Sequence, residues 1–341
     1  MPPNHPDTDS LVSGKPHRVP RAAYVHVPFC GHHCGYCNFS VLSGRDDLLP
    51  AYLSALGREL SSLEETRVVD TLYVGGGSPT HPPLAGIEEL WRLLRRWFSP
   101  PNNDPAQWDC TVEANPGEFT DAHARLLVDH GVNRISLGIQ SFQASKLKRL
   151  DRRHLPEDIP PAWNAARNMP ASVGADLIFA APQETIAEWD FDLGRAMALG
   201  FDHISTYGLT FEKGTLFWNQ RLRGGIVEVD EEMQRTLYLR GIDTLEAAGY
   251  DHYEVSNFAR AGHASRHNQV YWQGAAYWGF GPGAARYVDG RREANHRSTT
   301  TYLRRVLAGE SATAESETLD PEQRARERLV FGLRMRRGVD R

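Results

Sequence analysis

The sequence predicts an α/β protein built on a partial (β/α)6 barrel, which resembles part of a TIM barrel. Short β-rich runs alternate with longer helical patterns between residues 22 and 207, and such alternation predicts parallel strands with right-handed crossovers. Reactive side chains also follow nearly every strand segment, as expected when loops at the carboxyl ends of barrel strands converge on one site. The alternation alone is equally compatible with a doubly wound sheet, and the position of the reactive side chains favours the barrel.

Each strand segment is a short run with β-forming residues, beginning with AAYVHV at 22–27 and TLYV at 71–74. The four strands that follow are predicted over 110–113, 134–137, 175–179 and 203–207. The intervening helices are predicted over 48–63, 84–98, 121–130, 143–150, 157–168 and 186–199. Six strands and their helices therefore account for the barrel.

The chain is predicted to have three parts. Residues 1–20 contain five prolines and no periodic apolar pattern, which predicts a disordered leader. The barrel core is assigned to 21–212, and a smaller C-terminal region to 213–341. That region opens with a polar helix over 230–248 and continues with an aromatic and glycine-rich segment over 250–287.

Composition excludes several classes of partner. With 38 basic and 43 acidic residues and a net charge of −5, the chain has no electrostatic signature of nucleic-acid binding. No apolar run reaches the length of about 18 residues that a membrane-spanning helix needs, whereas peripheral membrane contact stays open. An apolar signal core is also absent from the sequence. Of four cysteines, three share one loop, which is typical of a reducing compartment and predicts a cytoplasmic protein.

The cysteine loop is the strongest motif in the chain. Cys30, Cys34 and Cys37 have the spacing C-x3-C-x2-C. Three thiolates in one loop can bind three irons of a [4Fe-4S] cluster, each thiolate holding one iron. The fourth iron then has no protein ligand and is free to bind a cofactor or substrate.

A structural zinc site is the alternative for this loop. It would use the three cysteines with His32 or His33, although this spacing is less common for zinc than C-x2-C pairs. Cys110 lies in another strand segment, where a free cysteine usually behaves as a small hydrophobic residue, and we do not expect it to be a ligand.

Six motifs in order resemble one family. They are the cysteine loop, YVHVPFC at 24–30, YVGGGSPT at 73–80, EANP at 113–116, SLGIQSF at 136–142 and DLIF at 176–179. Over roughly residues 21–335, the sequence is similar to the oxygen-independent coproporphyrinogen III oxidase family of the radical S-adenosylmethionine (SAM) superfamily. The resemblance implies a radical SAM barrel, a [4Fe-4S] cluster and SAM.

Two features divide the branches of this family. The branch that decarboxylates coproporphyrinogen III carries a further cysteine where this chain has Phe39, and the motif HNQVYW at 267–272 resembles the HemW branch. The resemblance therefore implies a heme chaperone that delivers heme to respiratory or other heme proteins. The alternative is the enzyme, which oxidatively decarboxylates coproporphyrinogen III to protoporphyrinogen IX.

The resemblance also assigns residues to the site. It makes Cys30, Cys34 and Cys37 the cluster ligands. Its SAM contacts fall on Tyr24, Tyr36, Gly76, Gly77, Ser78, Glu113, Gln140, Arg152 and Asp176. Six of these nine match contacts to a second SAM in the decarboxylating branch, so the binding of a second SAM stays open. These residues also have structural alternatives. The glycines could form only a tight turn, and helix caps or a buried polar network could account for Glu113, Gln140 and Asp176.

The C-terminal aromatic segment supplies a candidate heme site. His267 is the candidate axial ligand, with Tyr271 and Trp272 as apolar walls and Arg266 as a partner for a propionate. Judged by residue type alone, His267 is more typical of a hydrogen-bonded structural histidine. The resemblance gives the two interpretations similar weight.

The sequence departs mildly from the family pattern at 180–182 and at Ala285, and more strongly at its end. An Ala-Ala-Pro run at 180–182 stands where the family has Gly-Leu-Pro. The family also continues for tens of residues into a winged-helix-like domain, so the resemblance implies that region 213–341 is incomplete at its end.

Overall fold

The structure, a computed structural model, describes residues 19–339. Nearly all of the predicted leader lies outside these residues. The strands are β1 Ala22–Val27, β2 Arg67–Val68, β3 Thr71–Gly76, β4 Phe98–Ser99, β5 Asp109–Ala114, β6 Arg134–Gln140, β7 Ser172–Phe179, β8 His203–Gly208, β9 Asp251–Glu254, β10 Asn257–Ala259, β11 Trp278–Phe280, β12 Ala285–Val288, β13 Arg291–Asn295 and β14 Thr313–Thr318. The helices are α1 Leu49–Leu60, α2 Leu84–Trp97, α3 Asp121–Asp129, α4 Ala144–Arg149, α5 Ile159–Arg167, α6 Ile186–Leu199, α7 Leu216–Leu222, α8 Glu231–Ala247, α9 Arg266–Trp272, α10 Thr299–Leu307 and α11 Pro321–Gly332.

The main sheet has nine strands in the order β11-β1-β3-β5-β6-β7-β8-β10-β9. Its six central strands are parallel, and each predicted strand corresponds to one of them. The prediction of an α/β fold around six parallel strands is therefore confirmed. Strands from beyond residue 212 extend the same sheet at both edges, because β11 pairs in parallel with β1 and β10 pairs antiparallel with β8.

Apolar side chains on the strands and helices form one large core, and a smaller buried cluster lies around Leu150 and Phe217. Val25 and Val74, on neighbouring strands, are fully buried. Helix α2 buries Ile87, Leu90, Trp91 and Leu94, a spacing of three and four residues that places one face of the helix against the sheet. Burying side chains of this size contributes roughly 1.5–3 kcal/mol each. The core therefore holds the strand ends, and the loops that follow them, in fixed positions.

A buried carboxylate joins the C-terminal segments to α1. Glu59 accepts hydrogen bonds from Tyr302 Oη at 2.7 Å, Asn295 Nδ2 at 2.6 Å and the Gly281 amide at 2.9 Å. A buried carboxylate is tolerated when donors satisfy its oxygens in this way. Three segments between residues 281 and 302 are thus tied to α1. Beside them, β12, β13 and β14 form a separate three-stranded sheet.

Within residues 19–339, no helix combines the length and the apolar character that crossing a membrane requires.

Candidate functional site

The cysteine loop follows β1 directly. Backbone hydrogen bonds fix its two ends: the Cys30 amide donates to Leu42 O at 3.0 Å, and the Cys37 amide donates to Cys34 O at 2.9 Å in a tight turn. Cys30 and Cys34 are each 8% exposed and Cys37 is half-buried. All three are free thiols, as ligands for iron need to be.

Two side chains from outside the loop, one after β5 and one after α4, donate towards these sulfur atoms. Arg152 Nη1 lies 3.6 Å from Cys34 Sγ, and Asn115 Nδ2 lies 3.9 Å from Cys30 Sγ. A second hydrogen bond of 2.8 Å, from Arg152 Nη2 to Asn115 Oδ1, joins the two donors. Hydrogen bonds to sulfur and nearby positive charge stabilise thiolates and tune the reduction potential of a cluster. The donors therefore fit a cysteine-bound iron-sulfur cluster.

Burial favours the neutral form of two of these thiols, those of Cys30 and Cys37. It raises the pKa of Cys30, and it raises the pKa of Cys37 to about 11. Metal binding deprotonates such thiols, since the thiolate is the ligand. Across residues 19–339, no three His, Cys, Asp or Glu side chains lie close enough together to hold one metal ion. A four-iron cluster does not require such a group, because each of its thiolates binds a different iron.

The glycine run at the end of β3 packs against the cysteine loop. The Gly77 amide donates to Val27 O at 2.8 Å, and a Cβ atom at Gly77 would lie 2.4 Å from Phe29 O. Gly76 has φ of +119°, which disfavours any other residue. The positive φ of Gly76 and the close approach of Gly77 to Phe29 O require glycine at both positions. Their contact with SAM stays a prediction.

Glu113 at the end of β5 organises the same strand ends. It accepts a hydrogen bond from the Gly76 amide at 2.9 Å and one from Tyr73 Oη at 2.7 Å. Burial raises the pKa of its carboxyl group. These two hydrogen bonds are what the structural alternative for Glu113, a buried polar network, would contain. Contact between Glu113 and SAM stays a prediction.

Two other predicted SAM contacts come from the neighbouring strands β6 and β7. Asp176 of β7 accepts from Ser136 Oγ of β6 at 3.0 Å, and burial raises the pKa of Asp176. Gln140 ends β6 with φ of +64°, next to an irregularity in the β6–β7 pairing. Backbone strain of this kind is concentrated at functional sites. The roles of these residues towards SAM stay predictions.

Three aromatic or hydroxyl side chains complete the predicted set. Tyr24 Oη lies 3.0 Å from His26 Nδ1. Burial raises the pKa of Tyr36, whose ring packs edge-on against Phe217 at 6.2 Å between ring centres. Ser78 Oγ donates to Glu118, which brings a further carboxylate to the site.

Sequence reasoning missed two residues that the structure brings to this site, Asn115 and Glu118. Glu118 accepts from Asn115 Nδ2 at 3.2 Å and lies 2.9 Å from His81 Nδ1. The only signal for Asn115 was its place in the EANP motif at 113–116. No signal in the sequence distinguished Glu118 from other acidic residues.

His267 occupies a fully bonded position in α9. Its Nδ1 lies 2.8 Å from Thr71 Oγ1 and its Nε2 lies 2.8 Å from Tyr271 Oη. The residue is 1% exposed, and burial lowers its pKa to about 4. Both ring nitrogens are thus satisfied, as in a structural histidine, and ligation of heme stays a prediction. Arg266, the predicted propionate partner, donates to Gln107 O at 3.0 Å.

Comparisons with known proteins define the class. The family model for the radical SAM superfamily matches residues 24–193. The structure of coproporphyrinogen III oxidase (HemN) from Escherichia coli superposes with a TM-score of 0.80 and 24% identity, covering 93% of this chain and 76% of that chain. This likeness shows a shared fold. The chain is a radical SAM protein.

Relatives that are more similar in sequence narrow the class. Heme chaperone HemW from Synechocystis is 33% identical, covering 94% of this chain and 79% of the relative. Heme chaperone HemW from Bacillus subtilis is 31% identical, covering 94% of this chain and 85% of the relative. The chain belongs to the HemW family. Membership of the radical SAM superfamily implies a [4Fe-4S] cluster and SAM.

Proposed function

We propose that the protein is a heme chaperone that binds heme together with a three-cysteine [4Fe-4S] cluster and exchangeable SAM, and passes heme to respiratory or other heme proteins. The HemW relatives support this proposal, because they are named heme chaperones and match 94% of the chain. The proposal includes the predicted cytoplasmic location and no nucleic-acid partner.

One observation carries the choice of chaperone over enzyme. Phe39, two residues after Cys37, stands where the decarboxylating branch has a further cysteine, and its side chain is 64% exposed. An exposed phenylalanine supplies neither a thiolate nor a proton to the site. Next to it, the backbone oxygen of Asn38 accepts a hydrogen bond from Arg297, which ties this part of the loop to the C-terminal region.

The cluster and SAM have specific residues in this proposal. Cys30, Cys34 and Cys37 hold three irons, and Arg152 and Asn115 donate towards the sulfur atoms. The cluster supplies one-electron chemistry when it is bound. The remaining predicted SAM contacts are Tyr24, Tyr36, Gly76, Gly77, Ser78, Glu113, Gln140 and Asp176.

Anaerobic reconstitution with iron and sulfide tests the cluster. We expect about four irons and four sulfides per chain, and loss of this iron in Cys34→Ser. Cys110→Ala is the matched control, because Cys110 lies in β5 and is fully buried in the apolar core. One zinc per chain in place of iron would establish the structural zinc alternative.

Heme titration of the reconstituted protein, run beside a coproporphyrinogen turnover assay, tests the function. We expect a heme absorption spectrum with one equivalent bound and no protoporphyrinogen IX formed. Anaerobic turnover of coproporphyrinogen III with SAM would replace the chaperone proposal by the enzyme.

A further inference from the structure

An aromatic cleft lies between α9 and α11. It has a volume of about 280 Å³ and is lined from α9, the β12–β13 hairpin and α11. Its five aromatic residues are all half-buried: Tyr271, Trp272, Tyr277, Tyr287 and Phe331. Half-buried rings collected around one opening are typical of a site for a planar apolar ligand.

The rings of the cleft are held in place by one another. Tyr271 packs edge-on against Tyr277 with 4.7 Å between ring centres, and Trp272 packs edge-on against Phe331 at 6.4 Å. The guanidinium of Arg334 lies 4.2 Å from the centre of the Trp272 ring. The buried Trp272 Nε1 has no hydrogen-bond partner within residues 19–339, and buried indole nitrogens usually have one.

The cleft also contains positive charge that the protein leaves unpaired. Arg324 and Arg328 line it from successive turns of α11, and residues four apart on a helix lie side by side. Neither guanidinium makes a hydrogen bond or an ion pair with any residue in 19–339. Arg292, also in the lining, is by contrast neutralised by Glu327 at 2.5 Å. The aromatic cleft thus offers two free cations to an anionic ligand.

A larger cavity on the other side of the β12–β13 hairpin lacks this property. Its volume is about 510 Å³, and its arginines are Arg286 and Arg291. Both pair with Glu293, at 2.7 Å and 3.1 Å. Size alone would favour this cavity, but its cations are already neutralised by the protein.

We infer that the aromatic cleft is the heme-binding site, with Arg324 and Arg328 meeting the propionates and the five rings packing on the macrocycle. This inference rests on the proposed chaperone function. A planar aromatic molecule with two carboxylates matches both the apolar walls and the two free guanidinium groups.

The size of the aromatic cleft defines how heme sits in it. Typical ligand sites enclose about 300–1,000 Å³, and this cleft lies just below that range. It takes one edge of the macrocycle and leaves the other in solvent. An exposed edge suits a carrier, because an acceptor protein can contact the heme before it is released.

The cleft also bears on His267. Tyr271 forms part of the wall and its hydroxyl group lies 2.8 Å from His267 Nε2. Replacement of His267 therefore removes a contact that orients the wall. A His267 variant could therefore lose heme binding because Tyr271 moves, and not because an iron ligand is lost. Variants of the two arginines test the cleft more directly.

The test is a hemin titration of the full chain, followed by absorbance. We expect the double variant Arg324→Gln/Arg328→Gln to weaken hemin binding at least about tenfold, since charged hydrogen bonds are lost. Arg326→Gln is the matched control, because Arg326 lies on the same helix, is exposed and pairs with Glu322. Arg291→Gln is the control for the larger cavity. Both controls should bind like the unmodified protein.

A second variant tests the apolar walls. Ala275 lines the cleft, so Ala275→Phe should fill it and weaken hemin binding without touching a charge.

Far-ultraviolet circular dichroism and the iron content after reconstitution should stay unchanged in all variants. If the unmodified chain binds hemin and both the double arginine variant and Ala275→Phe bind it equally well, the assignment of the cleft fails while the chaperone function stands. If the unmodified chain binds no hemin, both proposals fail.

Discussion

The guanidinium group of Arg152 lies 3.6 Å from the sulfur of Cys34, although 118 positions separate the two residues in sequence. Arg152 also donates to Gly138 O at 2.7 Å and to Asn115 Oδ1 at 2.8 Å. Its side chain is therefore fixed by two strand ends before it reaches the cysteine loop. The barrel therefore places the positive charge of Arg152 next to the sulfur of one predicted cluster ligand, Cys34.

Removal of this charge should change the redox properties of the cluster. We expect Arg152→Met to lower the reduction potential, because a cation beside a sulfur favours the reduced, more negative cluster. Loss of one charge-assisted hydrogen bond corresponds to on the order of 50–100 mV for a one-electron couple. Potentiometric titration with electron paramagnetic resonance measures it. Arg149→Met, whose partner is Glu188 at 2.7 Å, should leave the potential unchanged.

Glu113 should matter for SAM binding. Its carboxylate fixes the Gly76 amide, and the family resemblance predicts that it also accepts hydrogen bonds from SAM. We expect Glu113→Gln to weaken SAM binding by about tenfold, as a charged acceptor becomes neutral. Equilibrium dialysis of the reconstituted protein measures this affinity. Glu88→Gln on α2, where the carboxylate pairs with Arg92 and His130, is the control, and equal SAM affinity in both variants would remove Glu113 from the site.

A buried cation in α4 holds that helix against α6 and the turn that precedes α6. Lys146 Nζ pairs with Glu184 and, at 2.9 Å, with Asp192, and all three side chains are fully buried. Lys146→Met leaves two carboxylates buried without their cation, which should cost on the order of 3–5 kcal/mol of unfolding free energy. Urea unfolding measures the loss. Lys148→Met, at an exposed position on the same helix, should change stability by less than about 0.5 kcal/mol.

Local sequence patterns predicted the strands and helices well where the pattern was uninterrupted. The predicted strand 22–27 and helix 186–199 match β1 and α6 at both ends. By contrast, β6 extends from the predicted 134–137 to Gln140, and β7 begins at Ser172 rather than at 175. Gly138 and Gly174 interrupt the β-forming residues there, and pairing with neighbouring strands overrides that weak local preference.

The site was less predictable than the fold, because its contacts depend on where strand ends meet. The cysteine spacing is visible in sequence, but Glu118 reaches Ser78 only because the loops after β3 and β5 lie side by side. Arg324 and Arg328 lie in a run that reads as an ordinary charged helix. Their lack of partners becomes visible only when α11 is placed beside α9.

The buried neutral His267 should make stability depend on pH. Burial lowers its pKa to about 4, whereas an unfolded histidine has a pKa of about 6.5. The unfolded state therefore binds a proton first, and stability is lost as the pH falls from 6.5 towards 4. For this residue alone, the loss between pH 7.5 and pH 5 is about 2 kcal/mol.

Urea unfolding of the cluster-free protein at the two pH values tests this prediction. We expect His267→Gln to be less stable than the unmodified chain at pH 7.5, because it loses contacts to Thr71 and Tyr271. Its stability should fall less steeply towards pH 5. His26 and His154 have pKa values lowered to about 4 in the same way, so part of the dependence stays in the variant. An unchanged slope would show that folding does not lower the pKa of His267.

The turn after β7 is strained, and glycine should relieve the strain at one position. Ala180 and Gln183 have φ of +61° and +62°, a region that costs a residue with a side chain about 1 kcal/mol. At Ala180, which is buried, a change to glycine would also lose about 0.8 kcal/mol of methyl burial, so the two effects nearly cancel and alanine is tolerated where the family has glycine.

Gln183 is exposed, so Gln183→Gly should raise stability by about 0.5 kcal/mol. Arg195→Gly, at an exposed position within α6, should lower it by about 0.5–1 kcal/mol. Thermal unfolding should thus show opposite shifts for the two glycine variants, and shifts of the same sign would show that the turn carries no strain.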